Sequence, residues 1–212
     1  MRIKLMNSLP ALERKHIEDI ERHFGRKLPE DYADFLLTFN GGEAIPDADY
    51  MIKTDIRQQE IDGRSGLVRD CVEEFFGFLG KDQQLADFEG PNFLLGMNET
   101  YQIEEFLPRD VIGIGLTSSH SIICLSLRED DFGSVYYWYY NWHQPWASEH
   151  FEQKIAGVQE SIPDFEEIVE KGEGEDFEQV RDEINYATLT KLGESFTDFV
   201  RNINIVPVDE RK

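Results

Sequence analysis

The segment Leu28-Pro29-Glu30-Asp31-Tyr32-Ala33-Asp34-Phe35-Leu36-Leu37-Thr38-Phe39-Asn40-Gly41-Gly42 constrains the fold most, because it spells a short helix with both ends punctuated. Pro29 suits the first helical position, where a missing N–H costs nothing, and Glu30 and Asp31 fall where the helix dipole favours negative charge. Tyr32, Phe35, Leu36 and Phe39 stand at i, i+3, i+4 and i+7, one apolar stripe that needs a core to cover it. Asn40-Gly41-Gly42 is the predicted stop, since glycine takes the left-handed conformation that closes a helix.

A second stripe precedes it: Ile17, Ile20 and Phe24, ending at Gly25. His16 and His23 lie on that helix and are expected to face mostly water. Tyr50-Met51-Ile52 and Cys71 to Leu79 read as strands, Gln58 to Gly66 as a polar loop, and Asn98 to Phe106 as a helix ended by Pro108. Three strands with short links follow, Val111 to Gly115, Ile122 to Leu127 and Val135 to Trp142. Links this short suit antiparallel pairing. A meander after two helices predicts an α+β fold, an antiparallel or mixed sheet with helices packed on one face.

From about Ala147 to Tyr186 the character changes. Between Glu160 and Glu183 there are eleven acids, with Lys171 and Arg181 the only bases. Ile162, Phe165, Ile168 and Val169 mark one helix, and Phe177, Val180 and Ile184 another, with a break at Gly172-Glu173-Gly174-Glu175-Asp176. The expected organisation is one domain over 1–212, with a core of about 11–146 and 187–205 and an acidic helical insertion at about 147–186. The core ends on a helix carrying Phe196, Phe199, Val200 and Ile203.

The 212 residues carry 43 acids against 21 Lys and Arg, a formal net charge of −22. Such a field repels nucleic acid and anionic membrane surfaces and attracts a basic partner. No run is long enough to span a bilayer and no secretory signal is evident, so a cytoplasmic location is expected. Cys71 and Cys124, on separate apolar segments, read as two buried thiols.

The motifs of nucleophilic catalysis and of phosphate or dinucleotide binding are absent, and Gly113-Ile114-Gly115 reads as structural glycine. His16, His23, His120, His143 and His150 show no metal-ligand spacing. No catalytic residue, metal or cofactor is assigned. An alternative is a metal-dependent hydrolase using loop carboxylates such as Asp47 and Asp49, or Glu129, Asp130 and Asp131; against it, carboxylate pairs arise without purpose in a chain this acidic.

Tyr136-Tyr137-Trp138-Tyr139-Tyr140-Asn141-Trp142 alternates along a strand, so Tyr136, Trp138, Tyr140 and Trp142 share one face, and Tyr137 and Tyr139 the other. One set packs under helices. The other either lines a partner-facing surface or lies under the insertion, with stacked aromatics for sugar binding as a further alternative.

Taken in order, the Leu-Pro helix with its Asn-Gly-Gly stop, Leu107-Pro108, Val111 to Gly115, Ile122-Ile123-Cys124-Leu125-Ser126-Leu127 and Gly133-Ser134-Val135-Tyr136-Tyr137-Trp138 resemble the SUKH superfamily, which takes in the fungal Smi/Knr cell-wall regulators and many bacterial immunity proteins. The resemblance covers roughly residues 11 to 142, with a last helix around Ser195 to Ile203. Two departures stand out: Ser118-Ser119-His120-Ser121 replaces the family's Gly-Asn turn, and Tyr139-Tyr140 replaces an Asp-His pair. The resemblance implies a non-catalytic binding protein, an immunity protein that neutralises a cognate toxin, or else a multi-partner regulatory module. Joined to the charge, it points to a basic, nuclease-type toxin. The expected contact set is Glu43, Asp47, Asp49, Tyr136, Trp138, Tyr140 and Trp142.

Overall fold

The computed structural model describes residues 3–57, 67–80, 93–103, 107–138 and 152–207. The opening helices are α1 (Arg14–Phe24) and α2 (Glu30–Phe39). Pro29 sits one position earlier than expected, as the N-cap of α2, and Asn40 itself takes the left-handed conformation at φ 48 that closes the helix. Asn40 is fully buried: its Nδ2 donates to the carbonyls of Pro10 (2.6 Å) and Phe78 (2.9 Å), and its Oδ1 accepts from Phe78 N–H (2.8 Å). The backbone of one residue therefore ends α2, and its side chain ties that end to Pro10 ahead of α1 and to Phe78. The remaining helices are α3 (Leu94–Ile103), α4 (Glu152–Ser161), α5 (Phe165–Lys171), α6 (Glu175–Ala187) and α7 (Phe196–Asn202). Among the described residues no helix is long and apolar enough to cross a membrane.

The strands are β1 (Leu5–Met6), β2 (Gly42–Ala44), β3 (Ala48–Arg57), β4 (Leu67–Phe75), β5 (Val111–Thr117), β6 (Ile122–Ser126), β7 (Val135–Trp138), β8 (Thr190–Gly193) and β9 (Asn204–Pro207). They join in one sheet in the order β1-β2-β4-β5-β6-β7-β8, and every strand pair is antiparallel. β2 and β3 share one flank of β4, end to end, and β9 extends the sheet beyond β3. The expected meander of β5, β6 and β7 runs unbroken between β4 and the edge strand β8. The fold is α+β.

Cross-strand partners show how the helices sit. Phe75 pairs with Gly115, Gly115 with Ile123, and Ile123 with Tyr137, so these residues share a face. Phe35 of α2 and Phe196 of α7 pack on Phe75 there, with ring centroids 5.1 and 5.8 Å away. The opposite face carries Gly113, Cys124 and Tyr136, and over it lie Tyr101 of α3 and Tyr186 of α6. The expectation of one helical face accounts for half of this packing. Helices on both faces explain why β6 and β7 are buried along their whole length.

Helices α4 to α6 gather around a small core of their own, Ile155, Val180 and Ile184, with Ile162, Phe165 and Ile168 packed against it. Gly172 closes α5 in the left-handed conformation and Gly174 caps α6, so the break is shorter than expected, with Glu175 and Asp176 in the first turn of α6.

Candidate partner-binding surface

The three acids of the expected contact set lie together on β2, β3 and the turn between them. Asp47 is exposed in that turn, while Glu43 on β2 and Asp49 on β3 are half-buried. Lys4 Nζ meets Asp47 at 2.7 Å, and Tyr50 O–H donates to the same carboxylate at 3.4 Å. The Lys4 hydrogen bond outweighs the rest and holds Asp47 below the usual carboxylate range, while Lys4 is raised in return. Glu43 accepts from Asn7 Nδ2 at 3.2 Å. Asp47 and Glu43 thus already spend acceptor capacity within the chain.

The aromatic part of the set needs correction. Tyr136 is 8% exposed and Trp138 4%. Trp138 lies edge-on to Tyr101 and Tyr136 beneath Tyr186, so both belong to the core. Helices over the second face bury what strand alternation alone left open. Tyr140 and Trp142 fall outside the described residues. Nor does the sheet gather the set into one patch, because β4, β5 and β6 stand between β2 and β7.

Two carboxylates act as hydrogen-bond hubs: Asp70, which the sequence did not single out, and Asp131, expected only as a loop carboxylate. Asp70, 3% exposed on β4, accepts from Cys71 N–H (2.9 Å), Ser118 Oγ (2.8 Å), Ser119 N–H (3.2 Å), Ser119 Oγ (2.5 Å) and Tyr137 O–H (3.1 Å). Burial, with Asp70 close by, pushes the Tyr137 phenol upward, so it stays a donor. Donors from distant parts of the sequence occupy this carboxylate and pin the β5–β6 turn to β4. The Ser-Ser-His-Ser run at that turn was the one visible sign.

The second hub is Asp131, in the β6–β7 link. It accepts from Ser126 Oγ and Tyr136 O–H, each at 2.5 Å, and from Tyr186 O–H. Burial works to raise its pKa, but the hydrogen bonds from Ser126, Tyr136 and Tyr186 and the charge of Lys191 hold it below the usual value. Tyr186 is pushed up to about 12, chiefly by burial. Beside it the Arg128 guanidinium lies 4.0 Å from the Tyr186 ring centroid and grips Glu183 at 3.0 and 3.2 Å. Arg109 N–H donates to Asp182 at 2.8 Å, although burial is the larger effect and raises the Asp182 pKa. These contacts fix α6 to the sheet. They leave outward the exposed carboxylates of α5 and the start of α6, among them Glu166, Glu170, Glu175 and Asp176.

The other candidate chemistry is soon placed. His16 is buried against Phe78, a correction to its expected exposure, and its Nδ1 accepts from Glu13 N–H at 3.0 Å to close the N-terminal box of α1. His23 is exposed near Glu99, and His120 is exposed at φ 64. His143 and His150 lie outside the described residues. Cys124 is buried, which raises its thiol pKa and keeps it protonated, while Cys71 is half-buried. Among the described residues no group of three or more His, Cys, Asp or Glu stands together to hold a metal.

The family model of the SMI1 / KNR4 family (SUKH-1) matches residues 12–171, from just before α1 through the six strands β2 to β7 to the end of α5. The chain belongs to the SMI1 / KNR4 family. No curated protein matches it. The SMI1 / KNR4 match takes in Asp70 with its donors and Asp131 with Ser126 and Tyr136, while Tyr186 of the second hub, β8, α7 and β9 lie beyond the matched residues. Family membership makes this a Smi/Knr-type protein, a family of generally non-catalytic binding domains that are commonly immunity proteins.

Proposed function

We propose that this chain is an intracellular, non-catalytic immunity protein that neutralises a cognate basic toxin by covering its active surface. Membership of the SMI1 / KNR4 family carries the reading. The charge supports it: a formal −22 attracts a cationic protein and repels the polyanions such a protein would act upon. The inward chemistry of the hubs agrees, since Asp70 and Asp131 spend their acceptor capacity on the fold itself. In this reading residues 1–212 form one domain, with 147–186 an acidic helical insertion.

The test is co-expression. If the reading frame beside this gene encodes the toxin, expressing it alone arrests growth, and adding this chain restores growth through a stoichiometric complex. Rescue without a complex would instead point to a catalytic antidote.

A further inference from the structure

Helices α2 and α7 lie side by side on the first face of the sheet, touching through Phe196, whose ring centroid is 4.8 Å from that of Phe35 and 5.3 Å from that of Tyr32. Between them runs a groove of about 610 Å³, floored by Phe35, Phe39, Phe196 and Val200. That volume falls within the roughly 300–1,000 Å³ typical of ligand sites. Its width is held by a cross-helix bond, because the Asp31 carboxylate accepts from Thr197 N–H at 2.7 Å. The α2 wall is acidic: Asp31 and Asp34 rim it, and Asp34 is 61% exposed with its nearest cation, Arg14, 3.8 Å away. On the α7 side Arg201 adds one cation.

We infer that this groove seats an amphipathic, basic segment of the partner protein, with apolar side chains between α2 and α7 and Lys or Arg on Asp31 and Asp34. Charge complementarity selects that occupant. The whole chain carries −22, the α2 wall repeats its sign beside an apolar floor, and an acidic segment meets repulsion at both scales. Apolar anchors in a groove hold, and the surrounding charges steer. The inference rests on the protein-binding reading and names where that binding occurs.

The experiment uses full-length chain and a fluorescein-labelled helical peptide of Leu and Lys, followed by anisotropy. Two variants alter the groove: Thr197→Trp fills it from the exposed side of α7, and Phe39→Ser removes part of its floor. Circular dichroism verifies their folding, and Val169→Ser, an exposed apolar residue on α5, is the control. One-to-one binding of the Leu/Lys peptide, weakened at least tenfold in both groove variants but not in Val169→Ser, supports the proposal. A Ser/Lys peptide of equal charge should bind at least tenfold more weakly. Equal binding of the two peptides, or wild-type affinity in Thr197→Trp, overturns it. The product of the adjacent reading frame forms a second arm. If that protein binds wild type and both groove variants alike, the groove is refuted and the protein-binding reading stands. If it binds none of them while the peptide result holds, the immunity reading falls and the groove remains.

Discussion

Tyr186 of α6 stands edge-on to Tyr136 of β7, with ring centroids 5.8 Å and hydroxyl oxygens 3.2 Å apart, and both hydroxyls donate to Asp131. This pair joins the acidic helices to the sheet. Tyr186→Phe keeps the ring and removes one donor, and should cost about 1 kcal/mol. Hydrogen exchange should show faster opening in α6 than in β5 and β6, and uniform acceleration across the chain would argue against a local latch.

The same hub sets a pH dependence. Asp131 has a folded pKa below its ordinary value of 3.8, so its contribution is fully present above that value and lost as pH falls through the lower folded one. Denaturant melts of wild type and Asp131→Asn should therefore differ at neutral pH and converge under acid. A gap that persists at the lowest pH would show that Asp131 acts otherwise.

Asn40 combines a left-handed backbone with three side-chain hydrogen bonds, two of them buried. Asn40→Ala should destabilise the protein by roughly 3–5 kcal/mol in urea unfolding, because buried partners are left unpaired and alanine is strained at that φ. Asn40→Gly should recover about 1 kcal/mol by relieving only the strain.

Glycines at two places should respond with opposite signs. A Cβ on Gly115 would stand 2.4 Å from the Glu74 carbonyl oxygen, whereas one on Gly157 of α4 would meet nothing within 4 Å. Gly115→Ala should lower the melting temperature, and Gly157→Ala should raise stability by about 0.5–1 kcal/mol through helix propensity.

What was legible in the sequence follows from length and periodicity. The stripe of Tyr32, Phe35 and Leu36 and the run Ile122 to Ser126 each repeat a pattern long enough to read, and each forms its expected element. β1, β2, β8 and β9 have two to four residues, too few for alternation to register, so the edges of the sheet went unread. His16 looked solvent-facing because nothing nearby in sequence shows Phe78 closing over it. The hubs were hidden for the same reason: Tyr137 lies 67 residues from Asp70, and Tyr186 lies 55 from Asp131.

Trp138 separates a core role from a contact role. Buried against Tyr101, it should cost about 3–5 kcal/mol of stability when cut to alanine. A Trp138→Ala variant of wild-type stability with weakened partner binding would restore it to the interface.

The central claim is that an acidic family scaffold captures a basic protein. Stopped-flow association with the product of the adjacent reading frame, at several salt concentrations, tests it most directly. The account predicts a stoichiometric complex whose on-rate falls steeply as salt shortens the Debye length, about 8 Å at physiological ionic strength. A salt-independent on-rate, or a strongly acidic partner, would contradict it.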